Sequence, residues 1–292
     1  MKINIPKKIF GKDVDGAIDR TFSHNAVVNE PKVNIPSVPN VQPLTDGLDS
    51  YVIFPSGKYG NHTYPELLIG KNSLSYNPEV QKIAEKLGLN LQNNSEGYIG
   101  NINYPQAISL NESLGNFTLP LILGKEFIKL LRDGANGKKV YAGNGRQISS
   151  SQLDSLYKEI TEVRNPWRSE WYDTKFSTEK NQGILNKLLK MKWLVEYPVF
   201  ENGTIKKISE PLEECLREDK KPGIDLDNWL DSSTNQGLPK FNSSYGDLYY
   251  WHPRNGSVAG FVAYSGRAGL LCGRDPSGSN SALGVRAARV RT

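Results

Sequence analysis

From Gly246 onward the apolar positions come in short runs separated by Gly, Ser, Asn and Pro: 247–251, 257–264, 269–272 and 283–290. Runs of this length bounded by turn formers predict strands. The middle of the chain has a different period. Residues 78–88 open on Pro78, place Val80, Ile83, Ala84 and Leu87 on one helical face, and stop at Gly88, which predicts a helix. Residues 125–132 repeat that spacing with Phe127, Leu130 and Leu131, ahead of Asp133 and Gly134. A third helix is expected through about 163, capped by Ser150 or Ser151. Ser151 and Asp154 have capping-box spacing, and Leu153, Leu156, Ile160 and Val163 form its apolar stripe. Asn165 and Pro166 end it.

Trp167 and Trp171 stand four apart and would share a face on a helical turn. Helices are also expected over 181–194, 211–217 and 227–231, the last capped by Asp227. Asn202-Gly203 between 197–200 and 204–208 is a strong hairpin signal, and Gly143-Asn144-Gly145 marks a second hairpin over 139–148. Strands are expected at 50–54 and 64–70, and residues 89–123 read as loop-rich. Helices therefore fall mainly between 78 and 233 and strands at the two ends of the core. This segregation predicts an α+β fold, an irregular antiparallel sheet with peripheral helices, and no internal repeat.

Before residue 48 the pattern changes again. Pro31, Pro36, Pro39 and Pro43 recur every few residues with Val and Ile between them. Such spacing forbids helix and central strand and favours extended chain. Residues 1–47 are expected to form an extended Pro-rich N-terminal arm, lying along a surface or free as a tail. Residues 48–292 are the expected α+β core, with 246–292 its C-terminal sheet segment.

Composition narrows the class. The chain has 292 residues, 37% hydrophobic and 23% charged, which suits a globular protein. No run approaches the roughly 18 apolar residues of a membrane helix, so no membrane span is expected. Met1 to Phe10 lacks a continuous apolar region and a cleavage site and does not read as a secretory signal. A cytoplasmic or virion setting is the expectation, and the Asn-x-Ser/Thr triplets are read as chance in an Asn- and Ser-rich chain. Cys215 and Cys272 are too few for a disulfide framework and are expected as reduced, buried thiols. Net charge is +5, with six arginines after residue 253 against the single acid Asp275. That excess can attract nucleic acid, anionic glycans or an acidic partner, or can hold loops by hydrogen bonds.

Cofactor chemistry finds little purchase. His24, His62 and His252 lie far apart with no ligand spacing, so zinc is not expected. Asp225, Asp227, Asn228 and Asp231 gather oxygens but lack the Gly and bidentate Glu of a calcium loop. No nucleophile elbow or phosphate-binding loop is present. His252 reads as an imidazole hydrogen-bonded among aromatics, or as a ligand or base. The informative group is aromatic and basic: Tyr249, Tyr250, Trp251, Phe261 and Tyr264 crowd beside Arg254, Arg267 and Arg274. Arginine with aromatic faces and small turn residues makes good contact surface. The expected ligand-binding set is Tyr249, Tyr250, His252, Arg254, Arg267, Arg274, Asp275 and Asn280. Alternation along 248–251 turns about half of those aromatics inward.

The closing stretch from Val258 through Asp275-Pro276-Ser277-Gly278-Ser279-Asn280 to Leu283-Gly284-Val285-Arg286 resembles the end of the formylglycine-generating-enzyme and C-type-lectin-like superfamily. The resemblance covers about a tenth of the chain. It implies a C-type-lectin-like C-terminal part whose strands hold variable, ligand-binding loops. It also allows one enzymatic test. The copper-binding cysteine pair of that family's oxidases falls near Val262 and Arg267 here, and neither is Cys. A thiolate pair suits Cu(I), so no copper and no other cofactor is expected.

These readings converge on a non-enzymatic binding or structural protein, a virion or surface-assembly component displaying loops on that scaffold. Its partner would be a protein, or a second copy engaged through the N-terminal arm, and its ligand a glycan or receptor. The alternatives are a copper-free enzyme on the same scaffold, or a basic protein of a nucleic-acid-containing assembly such as a ribosome. Val285 is expected in the core, and Arg286 is expected to tie down a loop, that from Asp275 to Ser281, through a carboxylate or carbonyls.

Overall fold

A computed structural model describes residues 47–179 and 192–291, together with two strand fragments near the N-terminus. The chain divides into two compact units, Met1–Pro39 and Asn40–Thr292. In the first, β1 (Lys8–Ile9) pairs antiparallel with β2 (Lys12–Asp13). Apart from these fragments and Gly47, the arm expected over 1–47 lies outside the described residues. All the other helices and strands belong to the second unit.

That unit opens with a short 3-10 turn at Leu48–Ser50. β3 (Tyr51–Phe54) follows, then the small hairpin of β4 (Gly57–Tyr59) and β5 (His62–Tyr64), and then β6 (Leu67–Gly70). Helix α1 (Pro78–Lys86) starts where Asn77 accepts a hydrogen bond from the Val80 amide and Pro78 fills the first turn, an N-terminal arrangement that satisfies free amides. After the short pair β7 (Gln92–Asn93) and β8 (Ile99–Gly100) comes α2 (Tyr104–Ser113), closed by a capping box of Asn103 and Gln106. This helix interrupts the loop-rich stretch expected over 89–123, with Tyr104, Ala107, Ile108 and Leu110 on its buried face. β9 (Phe117–Thr118) leads into α3 (Leu121–Ala135), longer than the expected 125–132.

Helix α4 (Ser150–Thr161) is capped one residue before the expected positions. Ser149 and Gln152 form the box, and Val163 is 58% exposed beyond the helix end. Next come β10 (Arg168–Glu179), β11 (Lys192–Glu201), β12 (Thr204–Pro211), β13 (Lys220–Ile224) and α5 (Leu226–Asp231). β14 (Leu248–Trp251), β15 (Val258–Tyr264), β16 (Arg267–Arg274), β17 (Leu283–Gly284) and β18 (Ala287–Val290) complete the chain.

Three expectations give way here. Trp167 and Trp171 do not share a helical turn, because the segment from Arg168 is strand and alternates with period two. Trp171 is 1% exposed while Trp167 is 54% exposed. The helix expected over 211–217 is absent: β12 runs through Pro211, and the chain then passes without regular structure to β13. Of the helix expected over 181–194, residues 181–191 lie outside the described set, and Lys192 to Leu194 belong to β11.

Two sheets organise the unit. The large one runs β12-β11-β10-β15-β16-β14-β13, with β17 beside the first half of β10. Its pairs are antiparallel except β14 with β16 and β10 with β17. Asn202 and Gly203, both at positive φ, make the tight turn between β11 and β12 that the Asn-Gly signal predicted. The small sheet runs β3-β6-β18-β9, so the last strand returns beside the first strands of the unit. The fold is thus α+β with largely antiparallel sheets, and no helix among the described residues is long and apolar enough to cross a membrane.

The core sits on one face of the large sheet. Tyr172, Phe176, Phe261, Leu270, Cys272 and Tyr250 pack there against α3, α4, α5 and the small sheet. A second cluster covers one end of the other face, where Trp171 and Val258 meet α2, Leu283 and Val285. The remainder of that second face is only half covered.

Candidate functional site

Strand alternation decides which side chains reach this half-covered face. Ser169 pairs with Val262, Val262 with Gly269, and Gly269 with Tyr249. These four therefore lie on one face, together with their neighbours two residues away, Tyr264, Arg267, Leu271 and Trp251. The intervening Leu248, Tyr250, Phe261, Ala263, Leu270 and Cys272 turn into the core and are buried.

The outward residues form a layered stack. The Arg267 guanidinium carbon lies 5.0 Å from the Tyr249 ring centroid, 5.1 Å from Trp251 and 4.9 Å from Tyr264. Lys221 adds an ammonium 5.0 Å from the Trp251 centroid, and Trp167 stands 5.2 Å from Tyr264. Cations over aromatic faces contribute roughly 0.5–2 kcal/mol each, more as they lose water. Gly269 makes the layer possible: a Cβ there would come within 2.8 Å of Cζ3 of Trp251. Arg267 Nε is buried and has no hydrogen-bond partner among the described residues.

A β-bulge brings in the next cation. Val258 pairs with Arg274 but Gly260 pairs with Leu271, so β16 carries one extra residue between them. Without it Arg274 would fall on the core face with Cys272 and Leu270. The bulge shifts the alternation and turns it outward, as bulges beside functional sites commonly do. Arg274 then lies 4.7 Å over the Trp171 ring and donates from Nη1 to Ser169 Oγ at 2.6 Å. It makes no ion pair among the described residues. Burial therefore pulls its pKa down to about 10, still far above neutrality, so the cation is retained.

Between the two arginines runs a cleft of about 370 Å³, lined by Trp167, Ser169, Val262, Tyr264, Arg267, Arg274, Asn280 and Ala282. Its rim is the loop 275–282. Asp275 folds the loop back on itself by accepting from the Ser277 amide and hydroxyl, which hold its carboxyl below the usual range. Asn280 does the same with the Ala282 amide. The loop is pinned by Tyr104 N–H to Pro276 C=O, Asn101 N–H to Asn280 C=O and Ser169 N–H to Ala282 C=O. Gly100 permits this approach, since any Cβ there would collide with the Ser281 carbonyl.

The structure thus brings together Tyr249, Arg267, Arg274 and Asn280 of the expected set, with Asp275 shaping the rim. Tyr250 is excluded. It is fully buried, its hydroxyl donates to the Leu216 carbonyl, and the alternation of β14 sends it to the core. His252 and Arg254 do not line the cleft. They meet on Asp219, with His252 Nδ1 2.7 Å from Oδ1 and Arg254 Nη2 3.0 Å from Oδ2. Those hydrogen bonds and charges outweigh Asp219's own partial burial and lower its pKa. Nor does Arg286 hold the 275–281 loop. It binds Glu170 and the Gly70 and Lys71 carbonyls instead.

Trp167, Ser169, Val262 and Ala282 are cleft residues outside the set expected from sequence. The signal for the first two was the alternation of Trp167, Ser169 and Trp171, legible only once the segment is read as strand. The calcium-like acids are engaged elsewhere: Asp225, in place of the expected Asp227, caps α5, while Asp227 and Asp231 pair with Arg132. A second cleft, of about 410 Å³, is lined by Glu213, Glu214, Lys240 and Phe241 among others, and Glu213 there is committed to Asn235.

Comparison with known proteins adds no relative: no family model matches the chain, and no curated protein or solved structure does either.

Proposed function

We propose that this chain is a non-enzymatic binding or structural protein, and that its C-terminal part is a C-type-lectin-like scaffold presenting the aromatic–arginine face and its cleft to a ligand. The observation that carries the reading is the cleft itself. β10, β15 and β16 and the 275–282 loop converge on a concave, mainly apolar surface with few polar groups, and Arg267 and Arg274 at it make no ion pair among the described residues. Ligand sites are typically of this kind. Rigid strands under a pinned loop also suit recognition, since little ordering entropy is lost on binding.

Two features favour the scaffold assignment. The final strand returns to the sheet that holds the first strands of the core. The Leu283-Gly284-Val285-Arg286 stretch is buried through, with Val285 in the second apolar cluster. Display of this kind would suit a virion or surface assembly, with the expected N-terminal arm supplying contacts between copies or to a partner.

The test is binding of immobilised glycans and acidic proteins by the full chain, compared with the double variant Trp167→Ala, Arg267→Ala. Trp167 is exposed, while Arg267 packs over three rings, so the variant should melt several degrees lower yet stay folded at the assay temperature, and lose capture. Equal capture by parent and variant, or none by the parent, would refute the reading.

A further inference from the structure

Among the described residues, four arginines near this sheet pair with carboxylates, whereas Arg274 and Arg267 do not. Arg168 and Arg286 are 6% and 3% exposed, and both are satisfied by Glu170. Arg164 reaches Glu96 and Glu159, and Arg132 reaches Asp133, Asp227 and Asp231. A cation withdrawn from water costs several kcal/mol unless it is paired. Arg274 is partly buried, yet among the described residues its hydrogen-bond acceptor is one serine hydroxyl, which leaves further guanidinium donors open to the cleft. Arg267 borders the same cleft with its own Nε unsatisfied.

The rest of the lining restricts what could satisfy them. One wall is apolar, built from Val262, Ala282 and the tilted Trp167–Tyr264 pair, with the exposed Trp167 indole as its flat element, while Ser169 and Asn280 supply hydroxyl and amide groups. A ligand matched to this surface needs one anionic group, a flat apolar face and polar edges. Geometry favours a carboxylate, whose two oxygens fit one guanidinium fork. A phosphate dianion would call for several converging cations, and Arg267 is already sandwiched between aromatic rings.

Resting on the binding reading above, we propose that the cleft is a site for an acidic sugar, a ring bearing a carboxylate. The carboxylate sits on Arg274 beside Ser169, and the ring lies against Trp167 and Tyr264 with its hydroxyls toward Asn280.

The experiment uses the full chain and a matched pair of probes, methyl glucuronide and methyl glucoside, which differ only in carboxylate against hydroxymethyl. Shifts of the tryptophan indole N–H signals are followed by NMR, the Trp167 signal being assigned through Trp167→Phe. The expected result is saturable movement of the Trp167 signal with methyl glucuronide, at least tenfold weaker with methyl glucoside, and at least tenfold weaker with Arg274→Met at unchanged melting temperature. Inorganic phosphate or an acidic peptide binding as tightly as methyl glucuronide would overturn the proposal. So would glucoside equal to glucuronide, or an Arg274→Met variant that still binds. In those cases the cleft still binds, and the broader reading survives. Failure of both sugars, with capture of other ligands still lost in Trp167→Ala, Arg267→Ala, would sink the acidic-sugar assignment alone.

Discussion

Ser169 and Glu170 are neighbours on one strand, and the two faces they serve treat arginine in opposite ways. On the core side Glu170 accepts from Ser73 at 2.6 Å, Arg168 at 2.5 Å and Arg286 at 3.1 Å. Burial alone would depress Arg168, but Glu170 and Glu159 outweigh it and hold the guanidinium above its ordinary range. On the cleft side Ser169 offers Arg274 one hydroxyl and no charge, and there burial lowers the pKa unopposed. The same residue type is a closed structural element on one face and an open valence on the other. What differs is the counter-charge and the access to solvent through the cleft.

The comparison can be broken most forcefully on its closed side. Glu170→Gln keeps the shape and removes the charge, leaving Arg286 buried without a carboxylate and Arg168 with Glu159 alone. Removing one member of a buried ion network typically costs about 3–5 kcal/mol, so denaturant unfolding should show a loss in that range. A loss under about 1 kcal/mol would mean the network does not hold the two sheets together. Val285→Asp asks the reciprocal question. Val285 is fully buried among Leu74, Ile99 and Leu283, with no cleft to hydrate a charge. The substitution should cost several kcal/mol and unfold the C-terminal part, read as a collapse of thermal melting. A melt like the parent's would remove 283–286 from the core and with it the scaffold assignment.

A gentler pair sharpens the contrast. Ser73 and Ser169 are both buried and both bond one charged group at 2.6 Å. Ser73→Ala deprives a closed network of a charge-assisted bond, worth roughly 1.5–3 kcal/mol. Ser169→Ala deprives a guanidinium that can turn to water in the cleft, and should cost under about 1 kcal/mol. Chemical denaturation of the two variants side by side checks the ordering. Equal costs would show that the cleft arginine is as dependent on its protein partner as the core ones.

Much of the site's frame was legible in the sequence, because strand alternation and turn residues are local. The Asn202-Gly203 turn, the hairpin of β15 and β16 and the inward–outward alternation of 248–251 all follow from period two and glycine placement. Trp167 and Trp171 show where local reading fails. A spacing of four fits a helix, and only pairing of β10 with β15, about ninety residues away, makes the segment strand. Helix α2 is missed for a different reason: its buried stripe of Tyr104, Ala107, Ile108 and Leu110 is short and follows an Asn103–Pro105 start that reads as a turn. The bulge that turns Arg274 outward had no sequence signal at all, since it is a property of register between two strands. Tyr250 is expected at the ligand as one of the crowded aromatics, but its hydroxyl goes to a main-chain carbonyl in the core. Arg286 has the expected carboxylate and carbonyl partners, but at Glu170, Gly70 and Lys71 and not at the 275–281 loop.

The central claim is that Arg274 is held for a ligand and not for the fold, and one paired melting experiment reaches it directly. Arg274→Met and Arg286→Met each replace a guanidinium by a flexible apolar side chain. At 286 the change leaves Glu170 with Arg168 and Ser73 alone and deprives two main-chain carbonyls of their donor, and the melting temperature should fall by many degrees. At 274 it removes an unpaired, partly buried cation, and the melting temperature should hold or rise. If Arg274→Met falls as far as Arg286→Met, the arginine is structural, and the account of the cleft as an open anion site is wrong.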